Sequence, residues 1–197
     1  MFRVIGNLRS RTFRVLWMLE ELGLPYEHMA AMPQSAEVIR HNPSGKVPVL
    51  LVDGTALADS TAILHYLADT NDRFTNRSGT IERARQDSLT NLLLDEFDAC
   101  LWMAARHSFV LPKEQRVPEI KPSLRWEFSR SATRLASRMD PGSFLAGPGP
   151  TVPDFILAHC LVWARTAKFR HAEPVLDSFL QQMSTRPAFH KISGEFA

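Results

Sequence analysis

The segment Asn-Leu-Arg-Ser-Arg-Thr (Asn7 to Thr12) packs two hydroxyls, a carboxamide and two guanidinium groups into one corner. It lies between a short apolar run, Phe2-Arg3-Val4-Ile5, and a helix, and it holds no thiol and no phenol. Such side chains donate hydrogen bonds rather than attack carbon. At a helix N-terminus, where the first N–H groups lack partners and the dipole is positive, donors of this kind stabilise an anion. Ser10, Thr12 and Asn7 are the candidate donors, with Arg9 and Arg11 as nearby charges.

Two further stretches carry polar groups at defined places. Asp59-Ser60 opens a helix, where a side-chain oxygen caps an orphan N–H and the remaining free N–H groups suit a carboxylate. Thr151-Val152-Pro153-Asp154 matches a capping box with proline in the first turn, so Asp154 is assigned to holding a helix rather than to acid–base chemistry. The seven histidines show no metal-ligand spacing, and no metal site is expected. Cys100 and Cys160 sit in apolar helical patterns, which argues against a disulfide and fits a reducing compartment.

These groups need elements to hold them. Val15, Met18, Leu19 and Leu22 share one helical face, closed by Gly23 and Pro25. Tyr26 to Met29 reads as a strand and Ala36 to Asn42 as a brief helix. The continuous apolar run Val47 to Val52 reads as a strand ending in the Asp53-Gly54 turn, with Thr55 to Ala58 as its hairpin partner. Ile63, Tyr66 and Leu67 then share a helical face. The order is β-α-β-α-β-β-α, which predicts a mixed sheet covered by helices. Beyond a polar stretch everything reads as helix. Leu89, Leu92, Leu93 and Phe97 begin a long helix to about Phe109, and a second runs to about Met139. Arg130, Arg134 and Arg138 on the latter form an expected solvated stripe, and Phe155 to Ala164 is apolar nearly all round, as in a buried helix. The expected division is 1–74 for the first domain, 75–80 for the linker and 81–197 for the all-helical domain.

Composition bounds the function. The chain has 197 residues, 45% hydrophobic and 22% charged, and a formal charge of only +2. That describes a soluble globular protein and excludes the concentrated basic face that nucleic acid requires. No stretch reaches the ~18 apolar residues of a membrane span, and no apolar leader is seen, so a cytoplasmic protein without a membrane partner is expected.

The arrangement resembles the cytosolic glutathione transferase family, whose first domain is thioredoxin-like and whose second is an all-α bundle. Four stretches carry the likeness: SRTFRVLWMLEELGLPYE, NPSGKVPVLLVDGTALADSTAILHYLA, FLAGPGPTVPDFILA and RPAF. The resemblance implies a cis bond at Val47-Pro48, with the Val47 main chain pairing the cysteinyl part of glutathione as an added strand would. It implies that Asp59 and Ser60 hold the γ-glutamyl end, and that Lys46 approaches the glycyl carboxylate. Among the corner donors it favours Ser10 as the partner of the sulfur, with Thr12 and Asn7 as alternatives. Trp102, Arg106 and His107 fall in the region that lines the electrophile pocket.

The chemistry so implied needs no nucleophile from the protein and no cofactor, glutathione being the co-substrate. A free thiol with pKa ~8.5 is mostly protonated at neutral pH, and lowering it by ~2 units requires about 2.7 kcal/mol. One charge-assisted hydrogen bond of ~1.5–3 kcal/mol beside a helix N-terminus supplies that. The expected enzyme activates the thiol for attack on a small hydrophobic electrophile and works as a homodimer. The alternative is a non-catalytic binding or interaction protein of the same fold.

Overall fold

The computed structural model describes residues 1–194, which form two compact units. The first comprises Met1–Arg77 together with the segment from Thr185 onward, and the second is Ser78–Ser184.

In the first unit, β1 (Phe2–Ile5), β2 (Tyr26–Met29), β3 (Val49–Val52) and β4 (Thr55–Ala58) make one sheet in the order β2-β1-β3-β4. β1 and β2 are parallel, whereas β3 runs antiparallel to β1 and β4. The parallel step requires a crossover, and α1 (Thr12–Leu22) provides it. Asp53 and Gly54 both take positive φ, 48° and 88°, as the tight hairpin between β3 and β4 demands. Helix α2 (Ala36–His41) precedes β3, and α3 (Ser60–Thr70) follows β4. Val4, Ile5, Val49 and Leu50 of the sheet are fully buried, as are Val15 to Leu19 of α1 and Ile63, Leu64 and Leu67 of α3. The sequence order β-α-β-α-β-β-α is therefore the observed one.

The second unit is helical: α4 (Ile81–Leu93), α5 (Ala99–Ala105), α6 (Lys121–Ala136), α7 (Val152–Ala167) and α8 (Pro174–Ser184). The helix expected from Leu89 to about Phe109 is longer and less regular. It begins at Ile81, capped by the Thr80 hydroxyl, and widens into π turns at Leu94–Asp98 and Arg106–Val110. Phe97, Phe128 and Phe169 meet edge to face at its centre, with ring centroids 5.2 and 5.5 Å apart. Arg130, Arg134 and Arg138 are all exposed, as expected of a solvated stripe; Arg134 also pairs with Glu96 at 2.5 Å, and Arg130 lies over the Trp126 ring.

The expected assignment of 81–197 to one helical domain differs from this division at the C-terminal end. Helix α9 (Pro187–Gly194) packs on α1 of the first unit. Phe189 meets the rings of Phe13 and Trp17 edge on at 5.4 and 5.0 Å. Arg186 grips Glu21 through two hydrogen bonds of 2.5 and 2.6 Å, and Lys191 reaches Glu20 at 2.8 Å. The boundary at the other end falls between Arg77 and Ser78, inside the stretch read as the linker.

Candidate functional site

The corner after β1 is built around Gly6. Its φ of 147° suits only glycine, and a Cβ placed there would lie 2.2 Å from Thr12 Oγ1 and 3.0 Å from Val47 Cβ. Three segments thus converge on one residue: the end of β1, the first residue of α1 and the approach to β3. Thr12 is fully buried beneath this contact. Its hydroxyl oxygen lies 2.9 Å from Ser10 Oγ.

Ser10 Oγ is half-buried and acts as the brace of the turn. It accepts the Thr12 N–H at 3.1 Å and lies 2.6 Å from the Asn7 carbonyl oxygen, to which it donates. The Phe13 and Arg14 N–H groups are taken by the carbonyls of Ser10 and Arg11. Asn7 is half-exposed, and among the described residues its side-chain amide enters no hydrogen bond.

Val47-Pro48 is cis. Val47 is half-buried beside the corner, directly before β3. The loop before it is tied by Asn42, whose Nδ2 donates to the Lys46 carbonyl at 2.9 Å and whose Oδ1 accepts the Ser44 N–H and hydroxyl. Gln34 joins the same loop through its main-chain N–H to Gly45 and its side chain to Ser44. Lys46 projects into solvent from this frame.

At the start of α3, Asp59 adopts φ 74°, uncommon for a residue with a side chain. Its Oδ1 accepts the N–H groups of Thr61 and Ala62 at 2.8 and 3.0 Å. The cap therefore consumes two of the helix's free donors. What remains is Asp59 Oδ2 on an exposed side chain and, beside it, the N–H and hydroxyl of Ser60, a residue only 2% exposed: one acceptor carrying charge and two donors. That trio matches an amino-acid end group, whose ammonium needs an acceptor and whose carboxylate needs donors.

Comparison with known proteins bears on what this arrangement serves. A family model described as glutathione S-transferase, N-terminal domain, matches residues 10–70. The chain is also 30% identical over 168 residues to glutathione S-transferase GST-4.5 of Xanthomonas campestris, covering 81% of each protein. This chain belongs to the glutathione S-transferase family. Among solved structures, glutathione transferase URE2P6 from Phanerochaete chrysosporium in complex with oxidized glutathione superposes with a TM-score of 0.84. It shares 25% identity, over 98% of this chain and 95% of that one. Probable elongation factor 1-gamma 2 of Arabidopsis thaliana is 28% identical over 174 residues, covering 85% of this chain but 41% of that protein. The chain thus spans less than half the length of that relative. The thioredoxin-like first unit and helical second unit are those of the transferase fold.

The other residues singled out from the sequence lie in the helical unit. Trp102 is half-buried on α5. Arg106 and His107 begin the second π turn, where Arg106 Nη1 approaches Met103 Sδ at 3.6 Å and His107 Nδ1 accepts the Val117 N–H at 2.9 Å. His107 thereby ties down the loop that follows. Cys100 is buried, and burial together with Glu127 raises its thiol pKa to about 11, so it is protonated at neutral pH. Among the described residues no three His, Cys, Asp or Glu side chains cluster as a metal site, and no helix is long and apolar enough to cross a membrane. Sequence reasoning missed His28 of β2, whose Nε2 bonds the Gly6 carbonyl at 2.8 Å. Nothing local to a strand residue signals such a contact.

Proposed function

We propose that the first unit binds glutathione and lowers the pKa of its thiol, so that the thiolate attacks a small hydrophobic electrophile. The observation that carries this reading is the convergence of Gly6, Thr12 and Val47. It sets a helix N-terminus beside the free main chain that precedes β3. Glutathione lies along that main chain with its cysteinyl group paired to Val47. Its γ-glutamyl end meets Asp59 Oδ2 and the Ser60 donors, Lys46 neutralises the glycyl carboxylate, and the sulfur rests at the corner of Asn7, Ser10 and Thr12. Trp102, Arg106 and His107 contribute to holding the electrophile. The protein works as a cytoplasmic homodimer.

A second reading is a non-catalytic member of the fold, and the match to elongation factor 1-gamma proteins favours it. Calorimetric titration with glutathione and steady-state turnover of a chlorinated nitroaromatic separate the two. The enzyme reading expects both saturable binding and a rate well above that of free thiolate in buffer. Binding without acceleration, or no binding at all, leaves the non-catalytic reading. Light scattering after size exclusion checks the dimer.

A further inference from the structure

Resting on the glutathione reading above, we infer that His28 is a positioning residue: its imidazole turns the Gly6–Asn7 peptide so that the main-chain N–H of Asn7 serves as a donor to the sulfur.

The parallel ladder between β1 and β2 pairs Val4 with His28 and Ile5 with Met29, and it closes with the Gly6 N–H donating to the Met29 carbonyl at 3.0 Å. The next group along that edge is the Gly6 carbonyl, and no main-chain N–H of β2 reaches it. The His28 side chain takes that place, with Nε2 at 2.8 Å. A carbonyl only accepts, so Nε2 carries the proton in this contact. Gly6 is therefore held on the β2 side through both its N–H and its C=O.

Planarity does the rest. In a trans peptide the C=O of one residue and the N–H of the next point in opposite directions. With the Gly6 carbonyl turned toward β2, the Asn7 N–H points toward the β3 side of the sheet. In the antiparallel register of β1 and β3, Ile5 pairs with Val49, so two residues further Asn7 stands opposite Val47. The ladder does not continue there, and among the described residues the Asn7 N–H has no main-chain partner. The position of a Gly6 Cβ, 3.0 Å from Val47 Cβ, shows how close the two segments come. A fixed, unpaired N–H thus faces the edge along which the cysteinyl group is proposed to lie. Ser10 has its hydroxyl proton directed to Asn7 O, and the main-chain donor faces the ligand without that competition. A preorganised donor aimed where charge develops stabilises a thiolate without reorganising.

The test uses the full chain and glutathione. His28→Leu removes the donor to Gly6, and His28→Gln restores one through its amide. The pKa of bound glutathione, read from thiolate absorbance against pH, is expected to rise by about one unit in His28→Leu, with kcat at neutral pH falling about threefold as the thiolate fraction drops. The glutathione Kd is expected to stay within about twofold in His28→Leu, and His28→Gln is expected to recover most of the loss in thiol pKa and kcat. A thiol pKa unchanged in a folded His28→Leu overturns the inference, as does a His28→Gln no better than His28→Leu. Should His28→Leu fail to fold, the amide resonance of Asn7 in the wild type decides: a large downfield shift on saturation with glutathione supports the donor, and an unmoved resonance refutes it. Wild type that binds glutathione without lowering its thiol pKa, or does not bind it, defeats the underlying reading instead.

Discussion

The Ser10 hydroxyl oxygen lies 2.6 Å from the main-chain carbonyl oxygen of Asn7, so its single proton already has an acceptor inside the chain. Contact with a ligand sulfur requires that proton to swing away from Asn7. Ser10→Ala also deletes the acceptor of the Thr12 N–H. The variant is expected to lose ~1 kcal/mol of stability in urea unfolding, as for a lost helix cap. Its turnover of a chlorinated nitroaromatic is expected to drop about tenfold, in line with one hydrogen bond to a charged sulfur. A stability loss with full turnover would confine Ser10 to bracing the corner.

Asp59 uses one carboxylate oxygen to cap α3, leaving the other for a ligand. Asp59→Asn keeps the capping oxygen and tolerates the positive φ, but removes the charge. Its melting temperature is expected to match wild type while the glutathione KM rises roughly tenfold. Asp59→Ala is expected to raise KM similarly and to cost a further ~1 kcal/mol of stability through the lost cap. Kinetics and thermal melts of the two variants together separate recognition from capping.

Arg186 and Glu21 form a two-pronged pair that is largely shielded from solvent, with the Glu21 side chain 8% exposed. Glu21 also accepts from Trp17 Nε1 at 3.0 Å, and its bonds to Arg186 hold that guanidinium's pKa above the ordinary range. Arg186→Met leaves the Glu21 carboxylate buried with only the indole donor. The expected cost is ~2–3 kcal/mol, and combining it with Glu21→Gln is expected to recover part of that in a double-mutant cycle. Additive losses would show that the Arg186–Glu21 pair contributes no coupling energy, leaving α9 held by Phe189 and by Lys191 with Glu20.

Asp154 is buried at the start of α7, where its carboxylate accepts from the Leu145 N–H and from both the N–H and hydroxyl of Thr151. Burial raises its pKa from 3.8 to about 6, and those hydrogen bonds oppose the rise. The folded state therefore holds its proton more tightly than the unfolded chain does. The contribution of this group to stability is fully present below about pH 4 and is lost as pH climbs through about 6. Measured against Asp154→Asn, wild type is expected to lose stability across that window by roughly 2–3 kcal/mol. Chemical unfolding of both proteins at several pH values checks the slope. A difference that stays flat or grows toward high pH would contradict it.

Much of this molecule was legible residue by residue. Gly23 takes φ 69° where the sequence ends α1, Asp53-Gly54 makes the hairpin, and Thr151 with Asp154 holds the apolar α7. The cis bond at Val47-Pro48 was legible only through the resemblance carried by the surrounding residues. The exposed stripe of Arg130, Arg134 and Arg138 was legible from its spacing, but the Glu96 that pairs with Arg134 was not, since it faces it from a distant part of the sequence. The π turns were not legible because no residue type marks where an extra residue is accommodated in a helical turn.

What the sequence by itself determined is the set of local elements, their order and the polar groups at their ends. Turns, caps and amphipathic faces depend on residues a few positions apart. Tertiary structure alone decided where those groups point. The return of α9 onto α1 joins Arg186 to Glu21 across 165 positions, and the Gly6 peptide is turned by His28 from a neighbouring strand. Hydrogen-bond direction at the corner is set by strand register and packing between distant segments, and spacing along the chain carries no record of it.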